Sequence, residues 1–102
     1  MARTRVELDR ILRTTLGSSN VYFDPPESFK LKYPCIVYSL NGNTDTFADD
    51  SKYLRLKRYS MVYVTKDADD LMADMLDDLK YCRLNQVYTS DGLFHYAYEI
   101  YF

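Results

Sequence analysis

Tryptophan is absent from this chain of 102 residues, and glycine and proline are each held to three, cysteine to two and histidine to one. Each shortage excludes something. With glycine only at positions 17, 42 and 92, there is no glycine-rich loop to cradle a phosphate. A lone His95, with no second histidine and no cysteine at ligand spacing, leaves a metal site without its usual donors, so neither a metal nor a cofactor is expected. His95 reads as a surface or packing residue. Cys35 and Cys82 lie far apart, each in an apolar extended context, and read as reduced core thiols rather than a disulfide. No apolar run approaches the roughly 20 residues that cross a bilayer. The opening Met-Ala-Arg-Thr-Arg-Val-Glu lacks the apolar centre of a signal peptide, which points away from export. A net charge of −2 gives no overall basic field to draw the chain onto nucleic acid or an anionic membrane.

What the chain has in plenty is tyrosine, eleven of them beside five phenylalanines. Tyrosine joins a large apolar body to a polar tip and is enriched at interfaces, although antiparallel sheets use it freely too. The length suits one domain, 1–102, with a single core.

The run Tyr53–Thr65 is rich in β-branched and aromatic residues and free of Gly and Pro, and at thirteen residues it exceeds the usual strand of about five or six. It is expected to be a bent central strand with neighbours along both sides. After it, Asp67–Leu79 carries Ala68, Leu71, Met72, Met75, Leu76 and Leu79 at helical spacing among aspartates. Asp67 is the expected N-cap, with Asp69 and Asp70 in the first turn near the positive end of the dipole. Asp67-Ala-Asp-Asp resembles the opening of a calcium loop but lacks the Gly and distal Glu at the right offsets.

Upstream, Thr4-Arg-Val-Glu7 has the form of a capping box, Leu8, Ile11, Leu12 and Leu16 make an apolar stripe, and Gly17 supplies the stop. Val21–Phe23 reads as a short strand, Asp24–Ser28 with its two prolines as a breaker, and Tyr33–Leu40 as a strand. Positions 41–52, opening on Asn41-Gly42, read as a long hairpin loop, of the kind that binds or stays disordered. Phe47, its one large apolar side chain, either tucks back onto its own domain or reaches a neighbouring subunit. Leu84–Thr89 and Leu93–Phe102 are strands joined by Ser90-Asp91-Gly92, a strong hairpin signal. Phe94, Tyr96, Tyr98, Ile100 and Phe102 share one face of the last strand. The fold expected is α+β, a mostly antiparallel sheet with two helices packed on it, in the order α-β-β-β-α-β-β.

Catalysis has little to stand on, because neither cysteine has a base within sequence reach and no serine sits in a nucleophile elbow. Arg55, Lys57 and Arg58, interleaved with Tyr53 and Tyr59, have the charge and stacking groups of a single-strand binder. The acidic helix, the acidic loop and the negative total oppose that use, and edge-strand cations commonly serve only to discourage aggregation.

Several stretches together resemble a known family: Leu16-Gly-Ser-Ser-Asn-Val-Tyr-Phe23, Pro25-Pro-Glu-Ser28, Tyr33-Pro-Cys-Ile-Val-Tyr38, and Phe47-Ala-Asp49-Asp50 on to Tyr53. Tyr59-Ser-Met-Val-Tyr-Val-Thr-Lys-Asp67, Asp91-Gly-Leu-Phe-His95 and Tyr98-Glu-Ile-Tyr-Phe102 extend it. The pattern is similar to the small tail-terminator, or tail-completion (head-tail joining), proteins of long-tailed bacteriophages and prophages. It covers essentially the whole chain as strands, turns and aromatic positions, without a catalytic motif.

That resemblance implies a non-enzymatic virion protein, assembled in the bacterial host cytoplasm into a ring, commonly a hexamer. Such a ring caps the tail tube, ends its polymerisation and offers the surface on which the filled head docks. The partners implied are further copies of the chain, a tail-tube protein and a head-completion protein, with no membrane and no sequence-specific nucleic acid. On the physical reading, Phe47, Asp49, Asp50, Tyr53, Tyr96, Tyr98, Tyr101 and Phe102 are the candidate subunit or partner interface. Asp70, Asp74, Asp77 and Asp78 are candidates to line a lumen through which DNA passes; the plainer alternative is a solvated outer helix face. A head-completion or minor capsid protein is the alternative within the same virion neighbourhood. A small cytosolic regulatory or nucleic-acid-binding module is the alternative from a different class.

Overall fold

The computed structural model describes residues 4–48, 51–67, 69–79 and 81–102, with the backbone alone for 42–48 and 51–56. Its elements are α1 (Arg5–Leu16), β1 (Val21–Phe23), β2 (Cys35–Ala48), β3 (Ser51–Thr65), α2 (Met72–Asp77), β4 (Cys82–Ser90) and β5 (Leu93–Tyr101). The strands form one sheet in the order β1-β2-β3-β5-β4. The α+β class and the order of elements are as expected. β3 is central, paired antiparallel to β2 on one side and β5 on the other, while β1 runs parallel to β2 at one edge.

Local chemistry accounts for the ends of several elements. Thr4 caps α1, its hydroxyl accepting from the Glu7 amide at 3.3 Å, and Gly17 ends it in the left-handed region at φ 72° with its N–H on the Arg13 carbonyl. Asp91 and Gly92 both take positive φ, 53° and 73°, as a two-residue type I′ turn between β4 and β5 requires.

Both helices lie on the same face of the sheet, and the core forms between them. Leu8 and Leu12 of α1 and Leu76 of α2 pack with Val21, Ile36, Tyr38, Tyr59, Met61, Tyr63, Tyr98, Ile100 and Phe102. The register explains the selection, since Ile36 stands opposite Tyr63, Tyr38 opposite Met61, and Met61 opposite Tyr98. With period-two alternation, these pairs all point to the helix side. On the other face Cys35 and Val64 are buried and Val37, Ser39, Ser60, Val62 and Ala97 half-buried, and neither described helix packs there.

Two expectations are corrected. Positions 41–52 are not a loop through most of their length, because β2 runs on to Ala48 and β3 begins at Ser51. Gly42–Thr46 pair with Leu54–Arg58, and Ala48 with Ser51. Asn41 is the extra residue of a bulge between Leu40 and Gly42 rather than the corner of a turn. The Arg58 guanidinium donates to its carbonyl at 3.3 Å. A two-stranded arm results, seven residues long on β2 from Gly42, or about 20 Å at the rise of a strand.

The second helix is also much shorter than Asp67–Leu79, covering only Met72–Asp77. Asp67 is not its cap. The Asp67 carboxylate instead accepts from the Asp69 amide at 3.0 Å, a local turn that competes with helix, and Asp70 supplies the acceptor for the Met72 amide at 2.9 Å. The helix therefore starts five residues late, its buried residues are Ala73 and Leu76, and Leu71 and Met75 of the expected apolar stripe are exposed.

Candidate assembly surfaces

The tyrosines that the sequence offers as an interface divide into two sets. Tyr98 is only 2 % exposed and Phe102 5 %, which removes both from the candidate interface. They lie on the helix-facing side of β5. Tyr98 donates its hydroxyl to the Ala73 carbonyl at 2.8 Å, and the Phe102 backbone exchanges hydrogen bonds with Lys57 at 2.9 and 3.0 Å. Tyr96 is half-buried beside the core, its ring 6.3 Å from that of Tyr63. Tyr101 is on the opposite face, half-buried, its hydroxyl donating to Glu99. Phe47 and Tyr53 belong to the two strands of the arm, Phe47 at a register irregularity between Thr46 and Ala48. Asp49 and Asp50 lie outside the described residues.

Tyr98 is one of three buried tyrosines whose hydroxyls tie a helix, or its approach, to the sheet. Tyr38 donates to Asp9 of α1 at 2.6 Å, and Arg5 donates to the Tyr38 hydroxyl at 3.1 Å. Arg13 bridges Asp9 to the carbonyls of Ser19 and Val21. Burial, reinforced by Asp9, pushes the Tyr38 phenol up to about 12. Tyr63 donates to Asp70, which also accepts from Thr65 at 2.9 Å. A phenylalanine would fill each space but give up the bond from sheet to helix, while Asp9 keeps Arg13 and Asp70 keeps Thr65 and the Met72 amide as donors. This use of the tyrosine hydroxyls is invisible in composition, because core struts and interface anchors call for the same residue.

Asp70 is therefore turned toward β3 rather than outward, and it leaves the set of candidate lumen residues. Burial works to raise its pKa, but the bonds from Tyr63, the Met72 amide and Thr65 together hold it below the usual carboxylate value. Asp74, Asp77 and Asp78 are exposed on α2 and its end.

Surfaces that the sequence did not single out lie on β4. Residues 83–90 are all exposed, including Leu84, Val87 and Tyr88, and β4 is an edge of the sheet, paired only to β5. Alternation in a strand reports its two faces and not whether a third strand covers its edge, so no signal in the sequence marked it. On the face away from the helices, Tyr88 stacks on His95 with ring centroids 4.8 Å apart. His95 Nδ1 lies 3.1 Å from the Leu93 carbonyl.

Among the described residues no group of three or more His, Cys, Asp or Glu is placed to hold a metal ion. Burial raises both thiols, Cys35 to about 11 and Cys82 to about 12, which keeps them protonated and poorly nucleophilic. No described helix is long and apolar enough to cross a membrane. Comparison of the chain with protein-family models, with curated proteins and with solved structures finds no match.

Proposed function

We propose that this protein is a ring-forming structural subunit of a bacteriophage neck, in the role of a tail terminator. The observation that carries the reading is the arm. Beyond Leu40 on β2 and Lys57 on β3, no third strand accompanies the pair among the described residues: β1 pairs with β2 as far as Tyr38, and the pairing of β3 with β5 extends to Arg58, with the Phe102 backbone bonded to Lys57. A lone two-stranded ribbon in water is marginally stable, so an arm of this length gains its stability against something else. A ring supplies that through heterologous contacts, each subunit giving the arm to the next and receiving another. The residue pattern resembling tail terminators points the same way.

In this role the ring meets a tail-tube protein on one side and a head-completion protein on the other. Asp74, Asp77 and Asp78 provide an acidic surface that would repel passing DNA. Native mass spectrometry across concentration tests the reading, with a closed species near six subunits as the expected result. Phe47→Ala is expected to dissociate that species while leaving the thermal unfolding of the monomer within a degree or two. A monomer that also fails to bind tail-tube protein overturns the proposal. Loss of monomer stability in Phe47→Ala shows instead that Phe47 packs on its own domain.

A further inference from the structure

We propose that the arm of one copy seats Phe47 in an apolar cavity that lies at the base of the arm on the next copy. This rests on the ring reading and deepens it, by naming the site that receives the arm.

The cavity, of about 160 Å³, lies between Leu8 and Ile11 of α1, Leu79 and Tyr81 beyond α2, and Ile100 and Phe102 at the end of β5. It exists because α2 stops at Asp77, so no further helical turn fills the corner through which Leu79 and Tyr81 lead into β4. Leu8, Ile100 and Phe102 are buried, whereas Ile11 and Tyr81 are exposed and form the rim. Tyr81 is held at a φ of 60°, its carbonyl accepting from the Tyr101 amide at 3.1 Å, so the rim is set before anything binds.

Size and lining together select the ligand. Cavities of roughly 150 Å³ walled by Leu, Ile and Phe stay dry and take up benzene, so this one suits a single phenyl group. The large apolar residues of the arm are Phe47, Tyr53, Leu54 and Leu56. Phe47 alone brings a phenyl group; Tyr53 would bury its hydroxyl in a dry site.

The Phe47 of the same chain cannot fill the cavity. The Phe102 backbone is bonded to Lys57, which stands opposite Asn43, and Phe47 lies four residues farther along β2, about 13 Å. The ladder keeps the arm extended as far as the pair of Ala48 with Ser51. The occupant is therefore a second copy. The arm and the cavity are different surfaces of one chain, so the contact is heterologous and repeats from copy to copy.

Cross-linking and a charge on the rim test the assignment. A disulfide needs Cα atoms within roughly 4.4–6.8 Å of each other. In a Cys82→Ala background, Phe47→Cys combined with Ile11→Cys or Tyr81→Cys is expected to give a ladder of covalent oligomers under mild oxidation. Phe47→Cys combined with Val87→Cys, on the outer strand of the sheet, is expected to give none. Phe47→Ala and Ile11→Glu should each weaken self-association about tenfold or more in sedimentation, with unchanged circular dichroism and thermal unfolding. Leu54→Ala should leave association nearly unchanged, and an effect confined to that variant overturns the choice of Phe47. A disulfide formed within one chain also overturns the proposal, because the arm then returns to its own domain. If Ile11→Glu abolishes binding of the tail-tube protein and spares self-association, the cavity receives that protein and not the arm. A closed ring that survives Ile11→Glu and gives no cross-link from 47 overturns the cavity and leaves the ring reading standing; a covalent ladder that never closes does the reverse.

Discussion

Replacing Tyr98 with alanine is expected to lower the free energy of unfolding by about 3–5 kcal/mol, the range for removing a large buried ring. Tyr98→Phe should cost about 1 kcal/mol, the net worth of one hydrogen bond. The ring is almost wholly buried, opposite Met61 on β3, and its hydroxyl reaches the Ala73 carbonyl of α2. The contrast between the two variants separates packing from hydrogen bonding, and urea denaturation followed by circular dichroism measures both. If Tyr98→Ala unfolds at the same urea concentration as wild type and differs only in self-association, Tyr98 is an interface residue after all and its assignment to the core is wrong.

The second large effect centres on Asp70. Its carboxylate gathers donors from Tyr63, Thr65 and the Met72 amide, and so holds β3 to the start of α2. Hydrogen bonds to a charged group contribute about 1.5–3 kcal/mol each, and a buried donor left alone carries its own penalty. Because these bonds are shared on a partly exposed group, Asp70→Ala is expected to destabilise by about 2–3 kcal/mol in total.

The sign with pH follows from the folded-state pKa, which lies below the ordinary value of 3.8. A depressed carboxylate pKa means that the unfolded chain binds the proton more readily. Its contribution is therefore complete above about pH 4–5 and disappears as pH falls through 3.8 to the folded value. Asp9 is lowered in the same direction: burial opposes this, and the bonds from Tyr38 and Arg13 outweigh it. Thermal melts of wild type and Asp70→Asn at pH 6 and pH 3 should show the gap between them narrowing in acid. A gap independent of pH would mean that the carboxylate's charge does not matter to the fold.

The parts of the fold that sequence conveys well are those decided locally. The capping hydroxyl of Thr4, the stop at Gly17 and the Asp91-Gly92 corner each solve a backbone problem within three residues, and each is where it was expected. The central place of β3 was legible too, because thirteen residues without a breaker demand partners on both sides. What was not legible depends on where distant groups end up. Asp67–Asp70 has good helix-start chemistry, but Tyr63 and Thr65 take Asp70 and the helix begins later. Asn41-Gly42 has good turn chemistry, but β3 is long enough to keep pairing past it, and the Asn becomes a bulge. The assembly surfaces follow the same rule. Tyr98 and Phe102 looked like anchors because aromatic side chains serve cores and interfaces alike, whereas the β4 edge was overlooked because an unpaired edge is a property of the sheet and not of the strand.

The strand order also has a kinetic consequence. β2–β3 and β4–β5 are each hairpins closed by short connections, so either can form before the other. Joining them requires β3 to meet β5 across the whole stretch from Lys66 to Gly92, which holds α2 and β4 and is the costly loop to close. The slow step of folding is then expected to be the joining of the two hairpins along the line where Met61 meets Tyr98 and Tyr63 meets Tyr96. Conservative substitutions along that line should slow folding, and Val87→Ala on the outer strand should leave the folding rate nearly unchanged. Stopped-flow refolding of Met61→Leu beside Val87→Ala distinguishes this from a sheet that grows outward from either hairpin.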